Sequence, residues 1–285
     1  MIIEDFARAE RKLSQVGYYR LSGYWYICRE IIRDQNNEVL FSSKNIPARH
    51  DQFIIGTSFD TIFDLYLFDK KLRQLMLDAI ERIEVYIRSI IAHELGFSDP
   101  LAYKKEKFIH PKFQKPYNGK PSSWEIWSQK QTHNISKSKE DCIRWHINQQ
   151  RDLPFWVVVE TWDFGTTSHY FKMLNGKYQN KVAQRLSLNP KDVKKIANWL
   201  QEINILRNRC AHHSRIWNQN NNNALNVLST PYFERLNLDQ KSREKIFGII
   251  TVLWFLICKM SNNSDWILQV ADLINSSYAK NPKLK

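Results

Sequence analysis

Apolar residues at Ile62, Leu65, Phe68, Leu72, Leu75, Ala79, Ile83, Tyr86 and Ile90 recur at spacings of three and four. That pattern marks one face of a helix of about eight turns. Thr57 with Asp60 three residues on resembles a capping box at its start. Glu84 and Arg88 form an i,i+4 pair along it, and Gly96 and Pro100 stop it. A second stripe, Val193, Ile196, Ala197, Leu200 and Ile203, predicts a helix over 190–217. Further helices are predicted over 5–32, 136–150, 155–175, 178–187, 233–260 and 263–277, with Gly17 and Gly23 as possible breaks in the first. Asp34 to Asn37 reads as a turn, 38–56 as irregular chain or a short strand pair, and Asn218 to Asn223 as a polar loop. Ile246 to Cys258 is an uncharged run of 13 residues between Lys245 and Lys259. A membrane span takes ~20 residues, so this run reads as a buried core helix and no membrane partner is expected. The fold class is all-α, a single domain over 1–285. A basic, partly irregular insert occupies about 103–151 and a helical extension about 224–285.

Only 8 Gly and 9 Pro in 285 residues argue against a loop-rich all-β fold, and no repeat is visible. A formal net charge of +13 changes the picture more, because such an excess favours a polyanionic partner. The insert carries eleven Lys/Arg against four Asp/Glu, a net +7 in 49 residues. Aromatics are interleaved there: Tyr103, Phe108, Phe113, Tyr117, Trp124, Trp127 and Trp145. Phosphates take cations while bases stack on rings, so RNA suits this mixture, with Lys104, Lys105, Lys107, Lys112 and Lys115 as its contacts. The alternative is a solvated insert whose aromatics turn into the core. The four Cys show no C-x-x-C spacing, which argues against a zinc knuckle or redox motif; scattered thiols suit a reducing cytosol. The start alternates charged and apolar residues and does not read as a secretory signal.

The chemistry-bearing segment is Leu206-Arg207-Asn208-Arg209-Cys210-Ala211-His212-His213-Ser214-Arg215-Ile216-Trp217-Asn218. Continuing the stripe of the 190–217 helix lands on Asn204 and Arg207, so it turns polar where a packed helix would stay apolar. An unpaired charge buried there costs several kcal/mol, which points to a cleft or a partner. Asn204, Asn208 and His212 are spaced i, i+4, i+8 and share a side; Arg207 is one step from Asn208. Imidazole, amide and guanidinium can converge. That set suits RNA cleavage without a metal or other cofactor: histidine moves a proton, arginine holds the phosphoryl oxygens, and asparagine orients the imidazole or contacts phosphate. Arg-x4-His alone is weak; a second copy, Arg88 with His93, lacks the following Asn, lies in an apolar helix and reads as structural. A helix-end ion pair with a core histidine is the bland account of Arg207 and His212.

The same segment resembles the signature of the Abi-like abortive-infection family, the AbiD/AbiF type, within the HEPN superfamily. Tyr18 to Tyr26 (YYRLSGYWY), Phe59 to Gly96 and Leu153 to Leu174 (LPFWVVVETWDFGTTSHYFKML) match in the family's order, so the resemblance covers most of 5–218. It implies an all-helical HEPN-like bundle, phage defence by a toxin, metal-independent ribonuclease activity and, for some members, a structured non-coding RNA partner. By position, the catalytic residues are Arg207, Asn208 and His212, with Arg209, His213 and Arg215 beside them as RNA contacts. HEPN relatives pair, and one motif supplies one histidine, so a homodimer with a composite site is expected. The resemblance also implies a further N-terminal helix, and this chain starts close to the Tyr18 segment: the start is truncated or that helix is absent. Two other readings stand: a non-catalytic RNA-binding protein, and a helical packing protein with no RNA role.

Overall fold

The structure, a computed structural model, describes residues 1–43, 46–261 and 263–280. Helices dominate. In chain order they are α1 (Phe6–Val16), α2 (Tyr18–Trp25), α3 (Phe59–Ser98), α4 (Ser123–Lys137), α5 (Asp141–Asn148), α6 (Phe155–Val158), α7 (Phe164–Met173), α8 (Gly176–Arg185), α9 (Val193–Ala211), α10 (Pro231–Leu236), α11 (Gln240–Arg243), α12 (Ile246–Met260) and α13 (Trp266–Lys280). Between α2 and α3 lie β1 (Arg29–Ile31), β2 (Phe41–Ser43), β3 (Ile46–Pro47) and β4 (Arg49–Phe53); β1 pairs with β4 and β2 with β3, both antiparallel. The all-α expectation holds.

The chain divides into two compact units, residues 1–75 with 267–285, and residues 76–266. In the first, Gly17 at φ +91° ends α1, whereas Gly23 sits inside α2. Of the two breaks offered in the helix over 5–32, Gly17 is one and Gly23 is not; α2 is followed by a 3-10 turn and a strand. Leu21, Tyr24 and Trp25 are buried, so the Tyr18 to Tyr26 run is mostly core. The Tyr24 hydroxyl donates to the buried carboxylate of Asp69 at 2.6 Å, and Arg73 pairs with the same carboxylate. Burial, then the Asp69 charge, push the Tyr24 phenol far above its ordinary range. The cap of α3 is one residue later than expected: the Ser58 hydroxyl accepts from the Thr61 amide at 3.1 Å, while Thr57 donates back to the Ile54 carbonyl. Gly96 does not stop α3, which runs to Ser98.

In the second unit the 155–175 expectation resolves into α6, a 3-10 turn and α7, and the 233–260 expectation into α10, α11 and α12. Helix α12 is buried through its middle, from Gly248 to Ile257 except for the half-buried Trp254, as the uncharged run predicted. Among the described residues no helix is long and apolar enough to cross a membrane. The insert is built of three 3-10 turns followed by α4 and α5, and α4 starts on a complete Ser122/Glu125 capping box. Its aromatics divide. Tyr103, Phe108, Trp124 and Trp127 are buried, Phe113 is half-buried, and only Tyr117 and Trp145 are exposed. Trp127 packs edge-on to Trp162 and donates its indole N–H to the Thr166 carbonyl at 3.1 Å, which makes the insert part of the core rather than an appendage.

Candidate functional site

Helix α9 is packed by α7, α8 and α12, all within the second unit. Its buried arc is accordingly wider than one stripe: Val193, Ile196, Trp199, Leu200, Glu202, Ile203, Leu206 and Cys210 all lie inside. The stripe therefore stays buried through Leu206 and Cys210, and Asn204 and Arg207 sit on its half-buried flank instead of interrupting it. Asn208, Ala211, His212 and His213 are exposed. One Arg207 guanidinium nitrogen reaches the Asn208 side-chain oxygen at a long 3.4 Å. The structure thus brings Arg207 and Asn208 together and leaves His212 on the surface at the helix end.

That end closes in a Schellman turn. The Ser214 amide donates to the Arg209 carbonyl at 2.8 Å and the His213 amide to the Cys210 carbonyl at 3.1 Å, with His213 at φ +56° in the left-handed region that this turn needs. His212 is the C-cap and also donates its backbone N–H to the Asn208 carbonyl. The turn is braced from outside by the Asn218 to Asn223 loop, which is ordered by specific bonds. The buried Glu202 carboxylate accepts from the Asn222 amide at 3.0 Å and from the Asn223 side chain at 2.7 Å. Asn221 donates to the carbonyls of Arg243 and Lys245. Arg209 donates to the Asn220 carbonyl and the Asn222 side chain, so this predicted RNA contact is engaged in holding the loop.

Glu84, the i,i+4 partner of Arg88, also feels the charge of Arg207, and Asp163 and Lys130 follow from it in a chain of charges that spacing did not single out. Burial pushes the Glu84 carboxyl of α3 up; the positive charges of Arg88 and Arg207 oppose that, and Asp163 adds to it. Asp163 caps α7 by accepting the Thr166 amide at 2.6 Å and pairs with Lys130 at 3.4 Å. Burial raises the Asp163 carboxyl, but the Thr166 bonds and Lys130 outweigh it and hold the group below its ordinary range. A Cβ added at Gly165 would meet the Asn204 side-chain oxygen at 3.4 Å, so glycine there leaves Asn204 room over the start of α7. His169, farther along α7, is held below the ordinary imidazole range by local burial and by Lys172 and Lys130. No periodicity could have linked these residues, because they come from α3, α4 and α7.

Arg88 donates to the carbonyls of Val159 and Trp162, while His93 is exposed beside Glu94. The second Arg-x4-His pair is thus split between a structural arginine and a surface histidine. On the insert, Lys104 pairs with Asp152, and Lys105 and Lys107 both pair with Asp99, whose carboxyl they draw down to about 2, Lys105 contributing most. Lys112 and Lys115 are exposed. Near the Schellman turn, burial and the charges of Lys241 and Arg215 lower the Lys245 ammonium. Lys241 and Lys245 therefore add positive charge beside Arg215, although the sequence marked Lys245 only as the flank of an apolar run. Among the described residues no group of three His, Cys, Asp or Glu is placed to hold a metal ion.

The family model described as Abi-like protein matches residues 11–218. Searches of curated proteins and of solved structures find no match.

Proposed function

Since the chain belongs to the Abi-like protein family, we propose that it is an abortive-infection protein acting in phage defence as a metal-independent endoribonuclease of HEPN type. The observation that carries this reading is the end of α9, where Arg207 lies against Asn208 and the exposed His212 stands one turn on, on a rigid Schellman cap. In the proposed reaction His212 takes the proton of a ribose 2′-hydroxyl, the 2′-oxygen attacks the adjacent phosphorus, and Arg207 holds the phosphoryl oxygens as charge builds. The bond to the 5′-oxygen breaks, a second histidine protonates that oxygen, and a 2′,3′-cyclic phosphate remains. Lys112, Lys115, Arg215, Lys241 and Lys245 supply cations, and His213 a polar contact, for the rest of the strand, which in this reading includes a structured non-coding RNA. Scattered cysteines suit action in the cytoplasm, where such an RNA is met.

The test is cleavage of total RNA in EDTA. Retained activity with cyclic-phosphate ends is the expected result; activity that vanishes in EDTA and returns with Mg²⁺ overturns the mechanism. His212→Ala should lower the rate by about 10²–10⁴-fold, the contribution typical of a general base, with an unchanged circular dichroism spectrum. A wild type that binds RNA tightly and never cuts it supports the non-catalytic RNA-binding reading instead.

A further inference from the structure

The other end of α9 holds a cleft of about 750 Å³. That is within the roughly 300–1,000 Å³ of small-molecule sites. Lys195 of α9 lies ~18 Å along the helix from Arg207 at 1.5 Å per residue, so the cleft is separate from the motif. Lys191, on the 3-10 turn before α9, and Lys259, at the end of α12, also line it. Lys191 and Lys259 are exposed. Asp192, the single carboxylate of the lining, pairs with Lys195 at 3.0 Å and leaves the site with a positive excess.

Two aromatic rings, Tyr232 and Phe255, stand among the aliphatic and polar residues of its remaining wall. Tyr232 is half-buried and packs on Phe255 with centroids 5.5 Å apart, fixed by its hydroxyl donating to the Thr251 carbonyl at 3.0 Å. Thr230, just before α10, lines the same cleft, with its hydroxyl oxygen turned out of reach of solvent. Ammonium groups bind phosphate as point charges, and a half-exposed ring offers a face to a planar base.

We propose that this cleft binds a nucleotide, with its phosphates among Lys191, Lys195 and Lys259 and its base against Tyr232. An acidic peptide would use the lysines but not the ring. The nucleotide is either free or one unit of an RNA strand, and the two sources share this chemistry.

The experiment is calorimetric titration of the full chain with ATP, adenosine, a 5′-phosphorylated penta-adenylate and a penta-glutamate peptide. ATP or the penta-adenylate should bind saturably and weaken with salt, and adenosine should bind at least about tenfold more weakly than ATP. ATP binding without penta-adenylate binding assigns a free nucleotide; penta-adenylate binding that ATP displaces poorly assigns an RNA strand. Lys191→Gln with Lys195→Gln should raise the Kd about tenfold, and Tyr232→Leu should weaken base-bearing ligands alone. His212→Ala should bind as the wild type does, so this site is judged apart from the nuclease reading. No saturable binding of any nucleotide, equal binding of the penta-glutamate peptide, or affinities indifferent to the lysine and tyrosine changes would overturn the proposal.

Discussion

His212 and His213 are neighbours in sequence with different backbone duties. His213 occupies the left-handed position of the Schellman turn at φ +56°, which histidine tolerates and a β-branched residue does not. His213→Val should therefore cost about 1–2 kcal/mol in denaturant melts. His213→Gly should fold as stably as the wild type and still cut RNA, unlike His212→Ala. Equal loss of cleavage in both histidine variants would show that the cap itself, not one imidazole, is what matters. Glu84 gives a pH-dependent companion. Its carboxyl is raised by burial, so the fold disfavours its ionised form: its contribution is complete below the unfolded pKa and is lost as pH rises through the folded one. Glu84→Gln should raise the melting temperature at pH 7 and leave it unchanged at pH 3, measured by calorimetry at both. A lower melting temperature at pH 7 would mean that Glu84 is worth more as a partner of Arg88 and Arg207 than its burial costs.

At the scale of elements, the insert joins two roles that its composition could not separate. Trp124 and Trp127 hold it to α7 from inside, while its lysines face water. Replacing Lys104, Lys105, Lys107, Lys112 and Lys115 by Gln should weaken RNA binding and flatten its salt dependence, without a change in unfolding free energy beyond ~1 kcal/mol per exposed pair. Because Asp99 ties down Lys105 and Lys107, Asp99→Asn should act in the opposite direction and steepen the salt slope. Filter binding across a salt series reads both; unchanged slopes in both variants would remove the insert from the RNA surface.

For the whole molecule, the proposed reaction needs two proton transfers on opposite sides of phosphorus, and each chain offers one His212. A twofold axis beside the end of α9 would bring in a second copy of Arg207 and His212, since such an interface is self-complementary. We expect the active species to sediment as a dimer, and a mixture of His212→Ala and Arg207→Ala chains to cut less than the wild type at equal concentration. A fully active monomer would refute the composite site. His93 is not expected to replace the second histidine: Arg88 is committed to the Val159 and Trp162 carbonyls, so His93→Ala should cut normally.

Periodicity along the chain was enough for the helical class, the long α3 and the buried middle of α12, because it is a local property; it carried the 190–217 helix six residues too far, since α9 stops at Ala211 and the turn there makes His212 its cap. The sequence misplaced the cap of α3 by one residue, since Thr57 and Ser58 compete for the same amides and only the backbone path selects between them. It offered Gly17 and Gly23 alike as breaks between α1 and α2, because a glycine marks a break only where the chain needs a positive φ, as at Gly17 and not at Gly23. Tertiary structure alone decided which aromatics of the insert are core. It alone brought Glu84 of α3 within reach of Arg207 on α9, and it alone turned the asparagine loop into a brace on Glu202. Those outcomes depend on charges and rings brought together from distant segments, and no spacing along the chain encodes such a meeting.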